Sequence, residues 1–582
     1  MEAGHLDLET LPIENLMRRG PDHLGKAQIV YANHQIQLQT SVLKMRSRST
    51  EQPLQINLMG FPDDENLAMH FSWNGEVYQR LSKNPHLHSA SEASLETVAS
   101  YEIADTQLVA DMLQEMCQDA IKNYPQPIET FQQEFAKRLA DEFGRLVNAE
   151  YAFCLVTPWS IYYGRDPQGR RSLLRGNDKE DVIDAPHSWK LASVAEAETL
   201  DEDSLEWKEV APGLVHEYRF DKGEAKSVPM QTPGLSVEKL SLISSAVSDL
   251  PDNTTPSMWR ASLELEHWLR QAVQLRVCGS ASASTATKPS THTAVLFSGG
   301  IDSVVLAALT LQVISPKEPL RLWNVSFVDQ RSDDSEASSN SAPTAKDCVA
   351  AKASFDELKQ LFPEHNISME TTEVSWEEMT KWEAHIRTLI HPKTTTMDLN
   401  IAMALWFASR GKNDKQEKST TSVNLVEPRV LLVGMGADEH LGGYGRHRKA
   451  HERSQKVPTD DSRGRMNNLR EELNLDIGRL WERNLGRDDR VFSDHGKEAR
   501  FPYLDYHVMQ FLAQTPLEDI CDFTLPPGEG DKRILRLLAM RLGLKTASGM
   551  VKRAIQFGSR IAHVSDKRRF GSRRKAQGTS IV

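Results

Sequence analysis

The stretch Thr293 to Ser303, TAVLFSGGIDS, constrains this chain more than any other. Thr293 to Phe297 are β-branched or apolar and end at Ser298-Gly299-Gly300, the way a buried parallel strand meets a tight turn. Asp302 and Ser303 stand where a helix begins, and Val304 to Val313 is apolar enough to pack that helix on a sheet. Two adjacent glycines remove the side chains that would keep the backbone from a phosphate, and the N–H groups of the first helical turn point at it. The stretch predicts an anion site; the competing reading is a Gly-Gly turn with a Ser/Asp cap and no ligand.

The turn lacks the lysine of a Walker loop. Ser298-Gly299-Gly300-Ile301-Asp302-Ser303 resembles instead the S-G-G-x-D-S fingerprint of the PP-loop ATP pyrophosphatases. That resemblance implies an α/β domain with a parallel sheet. It also implies that Ser298, Gly299, Gly300, Asp302 and Ser303 hold the pyrophosphate of ATP while a substrate oxygen is adenylated.

At 582 residues the chain is too long for one core, so two or more domains are expected. Apolar and charged fractions of 39% and 26% are ordinary for a soluble protein, and no window approaches the ~18 uncharged apolar residues of a membrane span. A net charge of -12 argues against general nucleic-acid binding, although SDKRRFGSRRKAQGTSIV, 565–582, is locally basic and reads as a disordered tail. Cys117, Cys154, Cys278, Cys348 and Cys521 form no CxxC pair, which suggests neither a zinc site nor a disulfide framework and fits a reducing compartment. MEAGHLDLETL has no hydrophobic signal core, so a cytoplasmic location is expected.

Toward the amino terminus, RRGPDHLG (Arg18 to Gly25) reads as a turn, and FSWNGEVY (Phe71 to Tyr78) as a strand ending in a hairpin at Asn74-Gly75. Asp105 is placed to start a helix over ADTQLVADMLQEM. EYAFCLV (Glu150 to Val156) and SIYYGRDPQGRRSLL (Ser160 to Leu174) read as antiparallel strands, giving an α+β domain of layered β-sheet over 1–220. In this order the motifs resemble the class II (Ntn-type) glutamine amidotransferase domain of asparagine synthetases. The resemblance implies that Arg46, Asn74, Gly75, Glu76 and Asp105 hold glutamine, an arginine fork suiting its α-carboxylate and carboxylates its α-ammonium. That family begins Met-Cys-Gly and uses the freed cysteine as nucleophile. This chain begins Met-Glu-Ala with no cysteine before Cys117, so it is expected not to hydrolyse glutamine that way.

Residues 221–257, rich in Ser, Pro, Asp and Thr, read as a linker, and 258–564 as the second domain. Leu265, Trp268, Leu269, Ala272, Val273 and the stem of Arg276 recur at helical spacing. RLWNVSF (Arg321 to Phe327) reads as the second parallel strand, with Val325 toward the adenine. The helix Thr396 to Arg410 reads as plain core except at Asp398 and Asn400.

A buried strand, Val430 to Val433, then runs into Gly434-Met435-Gly436-Ala437-Asp438-Glu439, which sets backbone N–H groups and Asp438 beside the first loop. The segment resembles SGEGSDExFGGY of asparagine synthetases, implying Gly434 and Gly436 at the nucleotide and Mg²⁺ held by Asp302 and Asp438. The family's glutamate, its base for ammonia, is Met435 here, a thioether that takes no proton. DHGKEARFPYLD resembles GLExRxPFLD and implies Arg500 and Asp505 in the site. GDKRILRLLAMRLGL and VKRAIQFGSRIA imply Lys532 and Lys552 over the phosphates, with Ala554 the alternative register when aligned on Phe557.

Two functions follow as expectations. One is an asparagine synthetase-like, ATP- and Mg²⁺-dependent amidotransferase taking ammonia or glutamine and an aspartate-like carboxylate, compatible with a homodimer. The other is a non-catalytic nucleotide-binding relative acting as a protein-interaction module, favoured by the missing cysteine and by Met435. A PP-loop enzyme acting on RNA is opposed by the net charge of -12.

Overall fold

The computed structural model describes residues 13–31, 34–43, 50–58, 67–81, 95–97, 104–123, 128–177, 189–195, 206–223, 225–231, 250–277, 293–328, 346–411, 427–455 and 466–570. The N-terminal half is built on a seven-stranded antiparallel sheet. Its order is Ala225–Pro229, Leu214–Arg219, Ser160–Arg165, Asn148–Val156, Leu67–Leu81, Leu54–Leu58, with Leu95–Thr97 also paired to Leu67–Leu81. Strand alternation sends Phe71, Trp73 and Val77 to one face, beside Tyr151, Phe153 and Leu155 of the neighbouring strand. Helices Asp105–Asn123 and Ile128–Gly144 cover that face with Val109, Leu113, Phe135, Leu139 and Phe143.

The hairpin expected at Asn74-Gly75 does not form. Leu67–Leu81 is one strand, and Gly75 pairs with Tyr151 in mid-ladder. The glycine answers a close approach instead of a turn: a Cβ there would lie 2.1 Å from the Glu150 carbonyl oxygen and 2.7 Å from Tyr151 Cα.

The C-terminal half holds a five-stranded parallel sheet, whose strands we number β1 (Thr293–Leu296), β2 (Leu320–Phe327), β3 (Ile367–Val374), β4 (Val430–Leu432) and β5 (Glu498–Arg500). Their order, β3-β2-β1-β4-β5, bears out the expected parallel sheet. Both faces are covered, which is why β1 and β4 read as nearly continuous apolar runs. Pro256–Val277 and Ile301–Val313 share one core with Val295, Leu322 and Leu432. Trp376–Ile390, Thr396–Ser409 and Gly486–Ser493 share the other with Ala294, Val325 and Leu431. The strand order reverses between β1 and β4, which opens a crevice at their carboxyl ends.

Within 221–257 the structure contributes the edge strand Ala225–Pro229 and the start of Pro256–Val277. The helix Ile561–Phe570 carries the chain past 565, and 571–582 lie outside the described residues. The two halves meet through the turn Arg165–Ser172, where Arg170, Arg171 and Ser172 are buried. Arg170 donates to the Leu504 carbonyl at 3.0 Å, Arg171 to the Ala499 carbonyl at 2.9 Å, and the Ser172 N–H to Asp489 at 3.0 Å.

Candidate active site

The Ser298–Ser303 turn joins β1 to the helix Ile301–Val313, with Gly300 as the extended N-cap. Gly299 has φ +76°, and a Cβ on it would fall 2.3 Å from the Ala351 amide nitrogen, so only glycine lets Lys346–Leu361 lie against the turn. Inside the turn the Gly300 N–H donates to Ser298 Oγ at 3.3 Å and Ser303 Oγ–H to the Gly300 carbonyl at 3.0 Å. Alongside, the loop after β4 passes through Gly436, at φ +93°, into the short helix Ala437–Leu441.

Between the two loops a cluster of opposite charges forms. Lys532 Nζ lies 2.7 and 2.6 Å from the Asp302 carboxylate oxygens and 2.6 Å from Asp438 Oδ1, and Lys552 Nζ lies 3.1 Å from Asp438 Oδ2. Burial alone would lift Asp438, but Lys532 and Lys552 outweigh it and bring its carboxyl down to about 2. Asp302 is raised, because burial and the Asp438 charge together exceed the help of Lys532. Burial works against a charged Lys532, and the two aspartates more than reverse this, leaving its pKa raised. Tyr503 O–H donates to the Asp302 carbonyl at 3.0 Å, and Tyr444 O–H to Glu439 Oε1 at 2.6 Å.

Among the described residues no group of three His, Cys, Asp or Glu side chains is placed to hold a metal ion. Asp302 and Asp438 do converge, with the Lys532 ammonium standing where their oxygens meet. Two protein carboxylates completed by phosphate oxygens are a donor set that suits Mg²⁺, so the residues fit that ion.

The crevice is a cavity of about 470 Å³ whose lining includes Ser298, Gly300, Asp302, Ser303, Val325, Gly434, Asp438, Lys532 and Lys552. Both registers at the last lysine reach it, since Ala554 also lines the wall. Met435 lines it too, as do Leu296 and Ile401, all three partly buried against the same core. Asp398, Arg487 and Asp488 make an ion triad on the wall: Arg487 Nη1 reaches Asp398 Oδ1 at 2.6 Å and Arg487 Nε reaches Asp488 Oδ1 at 2.8 Å. The sequence flagged Asp398 because it interrupts an apolar helix; Tyr503, Arg487 and Asp488 carried no comparable signal.

Arg500 and Asp505 do not line this cavity. Arg500 stands at the junction of the halves, 2.6 Å from Glu498 and 3.3 Å from Glu76. Asp505 N-caps Tyr506–Gln514 and accepts from Arg276 at 2.6 Å and Asn148 at 2.7 Å. Both are buried within the joint, so the structure gives them positions of attachment.

A second cavity, about 800 Å³, is lined by Asn74, Gly75, Glu76 and Asp105 together with Gln52, Arg171 and Glu498. Asp105 Oδ1 accepts from the Val77 N–H at 3.3 Å, and Gln52 Oε1 from the Trp73 N–H at 2.8 Å. Arg46 lies outside the described residues.

A doubly wound sheet with this crevice defines the class of the C-terminal half: residues 280–542 match the Asparagine synthase family. Asparagine synthetase domain-containing protein 1 of Mus musculus is 41% identical over 295 residues, 46% of each chain, and that of Homo sapiens 38% over 301, 47% of this chain and 45% of the relative. An asparagine synthetase domain-containing protein of Saccharomyces cerevisiae is 31% identical over 442 residues, 72% of each chain. The chain therefore belongs to the family of asparagine synthetase domain-containing proteins. Its match spans about half the length of the mouse and human relatives. A solved allosteric regulatory enzyme of purine biosynthesis is similar at TM-score 0.18 and 14% identity over 50% of each chain, too little to bear on the fold. Among the described residues no helix is long and apolar enough to cross a membrane.

Proposed function

We propose that the crevice binds ATP with Mg²⁺, converts an aspartate-like carboxylate to its acyl-adenylate and releases an amide when ammonia attacks. The observation that carries this reading is the meeting of Asp302, Asp438, Lys532 and Lys552 beside the Ser298–Ser303 turn. A substrate carboxylate oxygen bonds to the α-phosphorus and pyrophosphate leaves. Ammonia then bonds to the acyl carbon, loses a proton, and AMP leaves.

The first-turn amides of Ile301–Val313 face the phosphates, while Lys532 and Lys552 neutralise the charge that builds on the leaving pyrophosphate. Asp302 and Asp438 would hold Mg²⁺, which screens the same charge. Met435 offers no proton acceptor, so this chain supplies no side-chain base at that point.

We assign the N-terminal half the class II amidotransferase layout, with glutamine against Asn74, Gly75, Glu76, Asp105 and Arg46; the cavity lined by the first four supports it. Cys117 lies in the core beneath, its thiol pushed up to about 12 by burial despite Arg138, and is no nucleophile. A second reading, nucleotide binding without turnover, is favoured by Met435.

Melting temperature with and without ATP·Mg²⁺, and release of pyrophosphate and AMP with aspartate and ammonium, test both. A shift that Asp302→Asn abolishes, with both products formed, is expected. A shift without products selects the second reading, and no shift at saturating nucleotide removes the site altogether.

A further inference from the structure

The helix Gly486–Ser493 is a wall common to both cavities. All eight of its residues are buried, and adjacent positions turn to opposite sides: Arg487 and Asp488 line the crevice, while Asp489 and Ser493 line the cavity of about 800 Å³. The N-terminal half holds the helix by its charges. Arg19 Nη2 donates to Asp489 Oδ2 at 2.9 Å, the Ser172 N–H to the same oxygen at 3.0 Å, and Arg171 Nη1 to Oδ1 at 3.4 Å. Next along, Arg490 donates to Ser172 Oγ at 2.7 Å and to Glu209 at 2.8 Å. Burial alone would lift the Asp489 carboxyl, but Arg19, Arg171 and the Ser172 N–H outweigh it and hold it below the ordinary range.

Arg19 and Arg171 also line the larger cavity, and neither is fully used. Arg19 Nη1 and Arg171 Nε are buried without a hydrogen-bond partner among the described residues, on side chains 7% and 2% exposed. Buried donors left unpaired cost free energy that a ligand oxygen would recover. Asp489, Glu150 and Glu498 already balance the two guanidiniums, so a neutral carboxamide oxygen suits these donors. The cavity does not turn such a ligand over through Cys154, which lines it, because burial pushes that thiol up to about 12.

We propose that this cavity is an effector site: a carboxamide-bearing amino acid such as L-glutamine binds there unhydrolysed, and the helix Gly486–Ser493 carries its presence to the nucleotide crevice. The inference rests on the readings that the crevice takes ATP and the cavity glutamine. A ligand oxygen on Arg19 Nη1 and Arg171 Nε fixes the guanidiniums that hold Asp489, and so favours the arrangement in which Arg487 and Asp488 line the crevice. The turn before the helix supplies the alternative. Trp481–Leu485 is π-helical, one residue wider than an α-turn, and a Cβ on Gly169 of the N-terminal half would lie 2.9 Å from Trp481 Cβ. Tightening that turn rotates the helix that follows it, and the ligand opposes this. Nucleotide therefore binds more tightly when the larger cavity is filled.

The test uses the full chain and titrates α,β-methylene ATP with Mg²⁺ by calorimetry, with and without saturating L-glutamine, and then L-glutamine with and without the nucleotide. Each ligand should tighten the other by the same factor, about 5- to 150-fold, because coupling between two sites is reciprocal. No glutamate should appear. Asp489→Asn keeps the shape of the link but removes the charge that both arginines hold, so both ligands should still bind with most of the coupling gone. Should that variant fail to fold, the wild-type cycle decides by itself. Glutamine that binds without changing nucleotide affinity, undiminished coupling in Asp489→Asn, or release of glutamate would overturn the proposal. No glutamine binding at all would remove the reading of the cavity and the proposal with it, and no nucleotide binding would do the same for the crevice.

Discussion

Arg276 donates to Asp505 at 2.6 Å and to Glu150 at 3.0 Å, so one guanidinium with no solvent exposure ties the N-terminal sheet to the C-terminal half. Glu150 belongs to the strand Asn148–Val156, and Asp505 is the cap of Tyr506–Gln514. Asn148 completes the joint by donating to the same Asp505 oxygen at 2.7 Å. Arg276→Ala leaves two carboxylates buried without their counter-charge, and should cost about 3–5 kcal/mol of stability. Urea denaturation should show an early transition as the halves separate. A loss below about 1 kcal/mol would mean that water or Arg170 replaces the missing charge.

Lys532 occupies the point where Asp302 and Asp438 converge, which makes a second expectation. In the wild type the ammonium already satisfies both carboxylates, so divalent ions alone should stabilise the protein little. Lys532→Met leaves Asp302 without its ammonium partner and Asp438 with Lys552 alone. Mg²⁺ or Mn²⁺ should then raise the melting temperature without nucleotide, by about 1.4 kcal/mol of stability when the ion is tenfold above its Kd. Equal metal responses in the two proteins would show that the aspartates do not share a cation site.

The parts of this site that were legible in the sequence are local. The strand, two glycines and aspartate at Thr293–Ser303 form a unit because each dictates its neighbour's conformation, and the same holds at Val430–Asp438. What stayed hidden depends on partners far along the chain. Arg276 reads as one more member of a helical stripe, yet its guanidinium meets residues 126 and 229 positions away. Arg500 and Asp505 sit in a motif that resembles a catalytic segment, but Arg500 reaches Glu76 and Asp505 accepts from Asn148, both of the N-terminal half. Asn74-Gly75 misleads for another reason. The dipeptide suits a tight turn, but here the glycine serves the neighbouring strand, whose backbone leaves no room for a Cβ.

Acid should loosen the second loop through His440. The ring is 7% exposed, its Nε2 has no hydrogen-bond partner among the described residues, and burial brings its pKa from 6.5 to about 4. A depressed folded value means that its contribution to stability is complete above the unfolded pKa and is lost as pH falls from 6.5 toward 4. Between pH 7 and 5 the loss should be about 2 kcal/mol. His495, also held neutral by burial to about 3, adds to the same window. His440→Leu should flatten the stability profile by roughly one proton, read as the slope of unfolding free energy against pH. An unchanged slope would mean that His440 stays solvated as pH falls.

The last expectation concerns Met435, which stands between Gly434 and Gly436 after β4 and lines the cavity beside the Ser298–Ser303 turn. If amide formation is limited by the lack of a proton acceptor there, Met435→Glu should raise ammonia-dependent product by about 10²- to 10⁴-fold, the usual worth of a general base. The site is suited to that task. Met435 is partly buried against the core of that face, so burial would raise a carboxyl there, and the ionised Asp438 nearby would raise it further. Lys532 and Lys552 pull the other way and keep the added charge tolerable. Pyrophosphate release should change much less, because adenylation precedes the step that needs the base. Both products are to be measured at saturating ammonium in wild type and variant. Pyrophosphate without amide in both proteins would place the deficit in ammonia access. Neither product in either protein would leave a nucleotide-binding protein whose acceptor carboxylate never reaches the α-phosphorus.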